Sequence, residues 1–325
     1  MKALVCAHYG EPESLLLEDR PLVDPSARQV RVRVHAAGVN FVDALFIAGS
    51  YQVKIPTPFV PGNELAGVVE AVGSEVTAWK PGDRVMAQAG SGAFAEFVTL
   101  HEGQLRQMPH AFDFAQAAAF QLTYATSLYA LRERAGLRAG ETLMVLGAAG
   151  GVGSAAVDIG KYLGARVIAC AGSPEKLAAC RALGADEAID YDHEDLKERA
   201  KALTGGRGAD VIYDPVGDRY SEPALRAIAW EGRFLVVGFA AGNIARIPLN
   251  LALLKGCQIV GVDWGQLART RPAETEPVWA SLIEMANAGA LHPRVHAEYP
   301  LADGPRALRD VLARKVMGKA VLRMV

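Results

Sequence analysis

Apolar and polar residues alternate along the first third of the chain, and glycine or proline interrupts the pattern at short intervals. In Gln29–Val39 an apolar residue follows nearly every polar one, which predicts a half-buried β-strand. Leu65–Val72 and Arg84–Ala87 are further short strand candidates, with Gly- and Pro-rich turns between them. Residues 1–120 are therefore predicted to form a compact, barrel-like β domain.

The pattern changes near Ala111 to an Ala-rich helix, after which apolar strands alternate with amphipathic helices. The predicted strands are Thr142–Gly147, Arg166–Ala171, Ala188–Tyr191, Asp210–Asp214, Arg233–Gly238 and Cys257–Val262. Helices are predicted between them, including one over Tyr220–Ala229, and the apolar run Leu249–Leu254 is assigned to the edge of the sheet. Residues 121–287 thus predict an α/β domain with a doubly wound parallel sheet, whose nearly all-apolar strands are buried on both faces. Residues 288–325, with a final strand at Gly318–Met324, are expected to return to the first domain.

A glycine-rich turn follows the first apolar strand of this second domain. Gly147-Ala148-Ala149-Gly150-Gly151-Val152-Gly153 leads into a helix with one apolar face. Gly150 would let the backbone approach a diphosphate, Gly153 would let the helix pack on the strand, and the helix N-terminus would present free N–H groups. Ala148 replaces the first glycine of the strict G-x-G-x-x-G motif, so a merely tight strand-to-helix turn is the alternative. The strand–turn–helix context favours a dinucleotide site at Gly150, Gly151, Val152 and Gly153.

The end of the second strand indicates which dinucleotide is used. NAD sites usually place an acidic residue there, whereas Ala169–Ser173 contains none. Lys176 could supply positive charge to a 2′-phosphate, and Ser173 and Tyr191 could supply hydrogen bonds. We therefore predict NADPH as the cofactor. Ser173 before Pro174 would also serve as a helix N-cap, a role compatible with phosphate binding.

Composition excludes several classes of function. The chain has 325 residues, of which 51% are hydrophobic and 22% charged, and its net charge of −2 gives no reason to expect a nucleic-acid surface. The four cysteines are far apart and form no C-x-x-C pair. The N-terminus lacks a signal-peptide pattern, and neither of the longest uncharged stretches reads as a membrane helix. We expect a soluble, cytoplasmic protein without membrane association.

Seven motifs along the whole chain resemble the medium-chain dehydrogenase/reductase family, in its zinc-independent quinone oxidoreductase (zeta-crystallin-like) branch. The motifs are Ala37–Asp43, Pro61–Gly67, Pro81–Val85, Gly92–Phe97, Gly147–Gly153, Asp214–Gly217 and Gly318–Leu322. The resemblance implies a GroES-like first domain followed by a Rossmann domain. One departure is Asp158, where relatives often carry glutamine, and we expect it to be peripheral to catalysis.

The same resemblance bears on metal binding. Zinc-dependent relatives carry Cys at the position of Asn40, His at the position of Asn63, and a Cys-rich lobe that this chain lacks. An asparagine amide is a poor zinc ligand, so we predict no metal site. Glu64 is expected to be structural and to hydrogen-bond within its own loop.

The resemblance implies NADPH-dependent reduction of a quinone or an α,β-unsaturated carbonyl. Such substrates accept hydride onto a conjugated system, so the protein needs to hold the reactants, stabilise the oxyanion and deliver a proton. By resemblance, Asn40 and Asp43 line the nicotinamide cleft, and Thr126 contacts the cofactor. Gly238, Phe239 and Ala240 are expected to hold its carboxamide end.

Three residues are the predicted catalytic set: Tyr51, Asn40 and Asp43. Tyr51, in a G-x-Y segment, is the candidate proton donor or oxyanion ligand, but an aromatic residue there could simply pack the cleft wall. Asp43 could relay a proton or could be a buried turn acid.

Two other functions remain open from the sequence. An enoyl- or acrylyl-CoA (thioester) reductase would use the same scaffold. A non-catalytic NADPH-binding or RNA-binding protein is disfavoured, because no basic strip with interleaved aromatic residues is present. We also expect a homodimer joined through the edge of the Rossmann-domain sheet, because unprotected edges tend to pair.

Overall fold

The computed structural model describes residues 1–324. They form two compact units, one of Met1–Leu122 with the C-terminal segment from Pro293, the other of Thr123–His292. The strands are β1 (Lys2–Val5), β2 (Leu16–Asp19), β3 (Gln29–Val39), β4 (Glu64–Val72), β5 (Arg84–Gln88), β6 (Phe97–His101), β7 (Leu105–Gln107), β8 (Thr142–Leu146), β9 (Arg166–Ala171), β10 (Glu187–Asp190), β11 (Ala209–Asp214), β12 (Ile228–Val236), β13 (Gln258–Gly261), β14 (Val295–Pro300) and β15 (Lys319–Arg323). The α-helices are α1 (Phe41–Ile47), α2 (Phe114–Leu128), α3 (Gly151–Tyr162), α4 (Pro174–Ala182), α5 (Leu196–Leu203), α6 (Ser221–Arg226), α7 (Asn250–Lys255), α8 (Trp264–Thr270), α9 (Glu276–Asn287) and α10 (Gly304–Leu312).

The first unit is built on a seven-stranded sheet in the order β14-β15-β3-β4-β5-β7, with β6 also paired to β3. The long strand β3 pairs antiparallel with β4, β6 and β15, and its residues Val30, Val32 and Val34 are fully buried. This arrangement confirms the predicted β-rich, GroES-like domain. Pairing of β15 with β3 places Lys319 beside the end of β3, since Ala320 lies opposite Val39.

The second unit contains six parallel strands in the order β10-β9-β8-β11-β12-β13. The order reverses direction at β8, as in a doubly wound sheet, and confirms the predicted Rossmann fold. Leu143–Leu146 is fully buried, as expected of a central strand with both faces covered. The carboxyl ends of β8, β9 and β11 consequently meet at one edge of the sheet, where ligands bind in such folds.

One predicted element of the second unit is wrong in extent. The helix predicted over Tyr220–Ala229 ends at Arg226, because residues from Ile228 pair with Ala209 and extend β12. Tertiary strand pairing decides this boundary against the local helical pattern. The apolar run Leu249–Leu254 lies largely within helix α7, where Leu253 is 78% exposed.

Among the helices of residues 1–324, none combines the length and the apolar character required to cross a bilayer.

Candidate functional site

The glycine turn between β8 and α3 has the geometry of an anion-binding helix N-terminus. Gly147 adopts φ +58°, and the first hydrogen bond of α3 runs from Ser154 N to Gly150 O at 2.8 Å. The amides of Gly151, Val152 and Gly153 precede that bond, so the helix itself gives them no acceptor. Three N–H groups and the positive end of the helix dipole therefore lie together at this turn.

The individual glycines of the turn have different roles. A Cβ on Gly153 would overlap the carbonyl oxygen of Gly147, so glycine is required there for helix and strand to pack. A Cβ on Gly150 would approach only Gly147 O, at 3.3 Å, and the rest of its surroundings is open. These surroundings fit a diphosphate, because the bare backbone at Gly150 is accessible from outside the turn.

The predicted carboxamide segment lies against the turn that follows β11. Ala240 N donates to Pro215 O at 3.0 Å, and Phe239 is 38% exposed. The turn is stiffened by Asp214, whose Oδ1 accepts from Val216 N (2.8 Å) and Gly217 N (2.9 Å). Burial raises the pKa of Asp214.

The same turn also touches the glycine turn. A Cβ on Gly147 would meet Val216 Cγ2 at 2.8 Å. The structure thus brings Gly147–Gly153 and the segment from Gly238 to Ala240 to one edge of the sheet.

Helix α2 contributes a residue that hydrogen-bonds to the backbone of the glycine turn. Of the α2 residues, the sequence predicted only Thr126 to contact the cofactor. Thr126, the predicted cofactor contact, is 9% exposed on α2. Its neighbour Ser127 donates to Val152 O at 3.0 Å and lies 3.0 Å from the hydroxyl of Tyr213. Only the tertiary structure places Ser127 beneath Val152, since nothing in the local sequence distinguishes it from a helix-surface serine.

The ends of β9 and β10 bring together the three predicted phosphate contacts. Ser173 caps α4 by accepting from Lys176 N at 3.4 Å, so its predicted N-cap role is confirmed. Lys176 Nζ makes no hydrogen bond to any residue in 1–324. Tyr191 N donates to Ala171 O at 3.2 Å, which holds the Tyr191 backbone beside the end of β9.

Sequence reasoning missed three residues at this strand end: Asp192, Arg219 and Tyr220. Asp192 accepts from Arg219 Nη2 at 2.7 Å and from Tyr220 Oη at 2.6 Å. The ring of Tyr220 lies 4.3 Å from that of Tyr191, centroid to centroid. The lack of a carboxylate within Ala169–Ser173 therefore does not exclude an acidic group there, because Asp192, which follows β10, lies against Gly172. The signal available in the sequence was the Tyr-Asp pair at the end of the next strand.

In the first unit, Asn40 lies in a buried polar network. Lys319 Nζ donates to Val39 O (3.0 Å), to Asn40 Oδ1 and to Glu64 Oε1 (2.8 Å). Asn40 Nδ2 donates to Glu64 Oε1 at 3.0 Å, and Leu122 N donates to Glu64 Oε2 at 2.7 Å. Glu64 is fully buried, and its bonds leave its own segment, so the expectation of bonding within its loop was wrong.

Asp43 lies next to this network at the start of α1. Its Oδ2 accepts from Asn40 N at 2.8 Å, while its Oδ1 is buried without a hydrogen-bond partner among residues 1–324. Burial raises the pKa of Asp43 to about 7, and the Asn40 amide and the Lys319 charge counteract that rise. Its carboxyl group can therefore hold or release a proton near neutral pH.

Tyr51 follows the opposite end of α1 from Asn40 and Asp43. Its backbone N donates to Leu45 O at 3.3 Å, and its ring packs edge-on against Phe46 with centroids 4.7 Å apart. The side chain is partly exposed, so both readings of Tyr51, proton donor and packing residue, stay open.

Comparison with known proteins identifies the family. Residues 26–110 match the alcohol dehydrogenase GroES-like domain and residues 151–284 the zinc-binding dehydrogenase model. A quinone oxidoreductase-like protein 2 homolog from Nematostella vectensis is 39% identical over 325 residues, covering 99% of this chain and 88% of its own. This chain belongs to the medium-chain dehydrogenase/reductase family.

Within this family, the similar proteins include quinone oxidoreductases and an enoyl reductase. The Pseudomonas aeruginosa quinone oxidoreductase is 38% identical and covers 99% of both chains. The Escherichia coli quinone oxidoreductase complexed with NADPH superposes with a TM-score of 0.91 at 30% identity, covering 100% of both chains. The CurK enoyl reductase superposes with a TM-score of 0.90 at 26% identity, covering 100% of this chain and 99% of the other. The chain is therefore an oxidoreductase of the quinone oxidoreductase-like group.

Some members of the family bind zinc, as the name of one matching model states. Within residues 1–324, no group of three or more His, Cys, Asp or Glu side chains is arranged to hold a metal ion. At the two positions where zinc-dependent relatives carry ligands, Asn40 bonds to Lys319 and Glu64, and the Asn63 carbonyl accepts from Ala89 N at 2.6 Å.

Proposed function

We propose that this chain catalyses NADPH-dependent, metal-independent hydride transfer to quinones or α,β-unsaturated carbonyl compounds. The observation that carries the proposal is the glycine turn at Gly150–Gly153, with its three available amides and open approach. Bound NADPH would supply the hydride. The NADPH complex of the Escherichia coli relative supports this choice of cofactor.

Different residues of the second unit bind different parts of this cofactor. The amides of Gly151, Val152 and Gly153 bind the diphosphate, and Ser127 keeps the Val152 backbone in place. Ser173, Lys176 and Tyr191 contact the 2′-phosphate. Thr126 and the segment Gly238–Ala240 orient the nicotinamide end. Rigid support matters because hydride transfer requires a fixed approach of the two reacting carbons.

In the first unit, Tyr51 and Asp43 are the proposed proton-handling groups. A quinone or enone that accepts hydride needs one proton to reach the neutral product. Asp43, with a pKa of about 7, can hold that proton, and the phenol of Tyr51 can donate it to the substrate oxygen. Asn40 is proposed to border the substrate and cofactor, with its amide orientation fixed by Lys319 and Glu64.

Steady-state kinetics with three acceptors tests the proposal: a quinone, a simple enone and an acyl-CoA enone, each followed by loss of NADPH absorbance. We expect turnover of the quinone or the enone, and a lower kcat in Tyr51→Phe. Tyr162→Phe, at an exposed position of α3, is the matched control. If none of the acceptors consumes NADPH, the proposal is wrong.

A second candidate is reduction of enoyl thioesters, which the likeness to the CurK enoyl reductase favours. Preferential turnover of the acyl-CoA enone in the same experiment would select it. The cofactor and the proposed proton-handling groups would be the same.

We also propose a homodimer through the edge of the second unit's sheet. Strand β13 has β12 as its neighbour on one side, and Ile259 on it is 40% exposed. Leu249 and Leu253 on the adjoining segment are each 78% exposed. A second copy would cover these side chains and pair with the free strand edge. Sedimentation that finds only monomer at micromolar concentration would refute this proposal.

A further inference from the structure

The strands β9 and β10 end side by side, and the carboxylate of Asp192, two residues after β10, lies against the residue that follows β9. Gly172 follows β9, and a Cβ built on it would overlap Asp192 Oδ2 and approach Tyr191 Cε2 at 3.3 Å. The missing side chain of Gly172 thus provides the space in which the Asp192 carboxylate lies. In a doubly wound fold, this strand end is where the 2′ substituent of the adenine ribose is recognised.

The charge of Asp192 is compensated on one side only. Its Oδ1 accepts from Arg219 Nη2 (2.7 Å) and from Tyr220 Oη (2.6 Å). Its Oδ2 faces Gly172 and accepts no hydrogen bond from residues 1–324. The Asp192 side chain is 33% exposed and that of Arg219 is 69% exposed, so both remain accessible to a ligand.

The two forms of the dinucleotide interact with this pair in opposite ways. A ribose 2′-hydroxyl can donate a hydrogen bond to Asp192 Oδ2. A 2′-phosphate is repelled by the same carboxylate and attracted by Arg219 and Lys176. Because Asp192 and Arg219 are held together, the carboxylate both opposes the phosphate and neutralises part of the cation that would bind it.

We propose that the Asp192–Arg219 pair sets how strongly this protein discriminates between NADPH and NADH. Asp192 lowers the preference for NADPH, and Arg219 raises it. The inference rests on the proposed use of a nicotinamide dinucleotide and assigns its 2′ selectivity to residues on the segments that follow β10 and β11, not to the end of β9 where the acidic residue of NAD sites is expected.

The test is to measure dissociation constants of NADPH and NADH by calorimetry for the wild type, Asp192→Asn and Arg219→Gln. For Asp192→Asn we expect NADPH to bind roughly three- to tenfold more tightly, because a repulsive charge is removed and Arg219 is released. NADH should bind roughly threefold more weakly, since an amide replaces the carboxylate acceptor. For Arg219→Gln we expect NADPH to bind roughly tenfold more weakly and NADH to change by less than about threefold. Both NADPH effects should shrink as ionic strength rises.

A matched control removes the same kind of charge from the other end of the same strands. Arg166 Nη2 and Glu187 Oε1 form an ion pair 3.1 Å apart at the starts of β9 and β10. Glu187→Gln should leave both dissociation constants within about twofold of wild type, because the charge lies at the opposite end of the two strands, where salt screens its effect on the proposed site.

The outcomes separate this inference from the proposed function. If the wild type binds neither dinucleotide, both are wrong. If it binds NADPH but the NADPH-to-NADH ratio of Asp192→Asn and that of Arg219→Gln stay within twofold of wild type, the inference is overturned and the proposed function stands. Opposite shifts of the ratio in the two variants, with Glu187→Gln unchanged, support the inference.

Discussion

Replacing Lys319 with methionine tests whether the buried polar network of the first unit is electrostatically coupled. Lys319 is 5% exposed and Glu64 is fully buried, so the substitution leaves a carboxylate in the core without its cation. Three hydrogen bonds of the ammonium are lost, to Val39 O (3.0 Å), Asn40 Oδ1 and Glu64 Oε1 (2.8 Å). Breaking one partner of a buried ion pair costs about 3–5 kcal/mol. Because Glu64 keeps two N–H donors, at 3.0 and 2.7 Å, we expect the lower end of that range, about 3 kcal/mol.

A double-mutant cycle measures the energetic coupling between the charges of Lys319 and Glu64. The double variant Lys319→Met/Glu64→Gln removes both charges, so its loss of stability should be at least about 2 kcal/mol smaller than the sum of the losses in the two single variants. Lys2→Met, which breaks the exposed 2.6 Å pair with Asp19 in the same unit, should change stability far less than Lys319→Met does.

The assay must report the opening of the first unit within the full chain, because a chain of two units need not unfold in one step. Hydrogen exchange of peptides from β3 and β15, measured by mass spectrometry across a urea series, reports the local free energy of opening. If Lys319→Met is as stable as wild type, or if adding Glu64→Gln brings no relief, the reasoning about this network is refuted.

Four further predictions follow from single positions. Gly150→Ala should weaken NADPH binding at least roughly tenfold while changing the free energy of unfolding by less than about 1 kcal/mol. The small effect on stability is expected because Gly150 has φ −79° and the added Cβ meets only Gly147 O, at 3.3 Å. Calorimetry measures the binding and thermal unfolding the stability, with Gly265→Ala as control. Gly153→Ala should instead destabilise the second unit by about 2–3 kcal/mol, because its Cβ overlaps backbone, and a wild-type melting curve would contradict this. The pKa of Asp43 is about 7 in the folded state and 3.8 in the unfolded state. The free energy of unfolding should therefore fall as pH rises from 3.8 to about 7, by at most about 4 kcal/mol. Asp43→Asn should flatten this pH dependence, as measured by urea unfolding at several pH values. Leu253→Asp should convert the proposed dimer to monomer in sedimentation without loss of NADPH binding, because it places a charge on an exposed apolar position.

Local patterns in the sequence are sufficient to predict the fold class and the position of the glycine turn between β8 and α3. The alternation in Gln29–Val39 and the nearly all-apolar strand before Gly147 are local patterns with one physical interpretation each, a half-buried strand and a fully buried one. The glycines also follow from local requirements, since Gly153 must admit the Gly147 carbonyl. Such features depend on neighbours a few residues away, and therefore appear in the sequence.

Which distant residues meet depends on strand pairing, which the sequence pattern does not show. Lys319 reaches Asn40 because β15 pairs with β3, and Asp192 reaches Gly172 because β10 pairs with β9. The missed strand extension from Ile228 has the same cause, pairing with Ala209 across the sheet. In each case the contact joins segments that are far apart in the sequence. The contact forms because of burial and strand register, which a local sequence pattern does not predict.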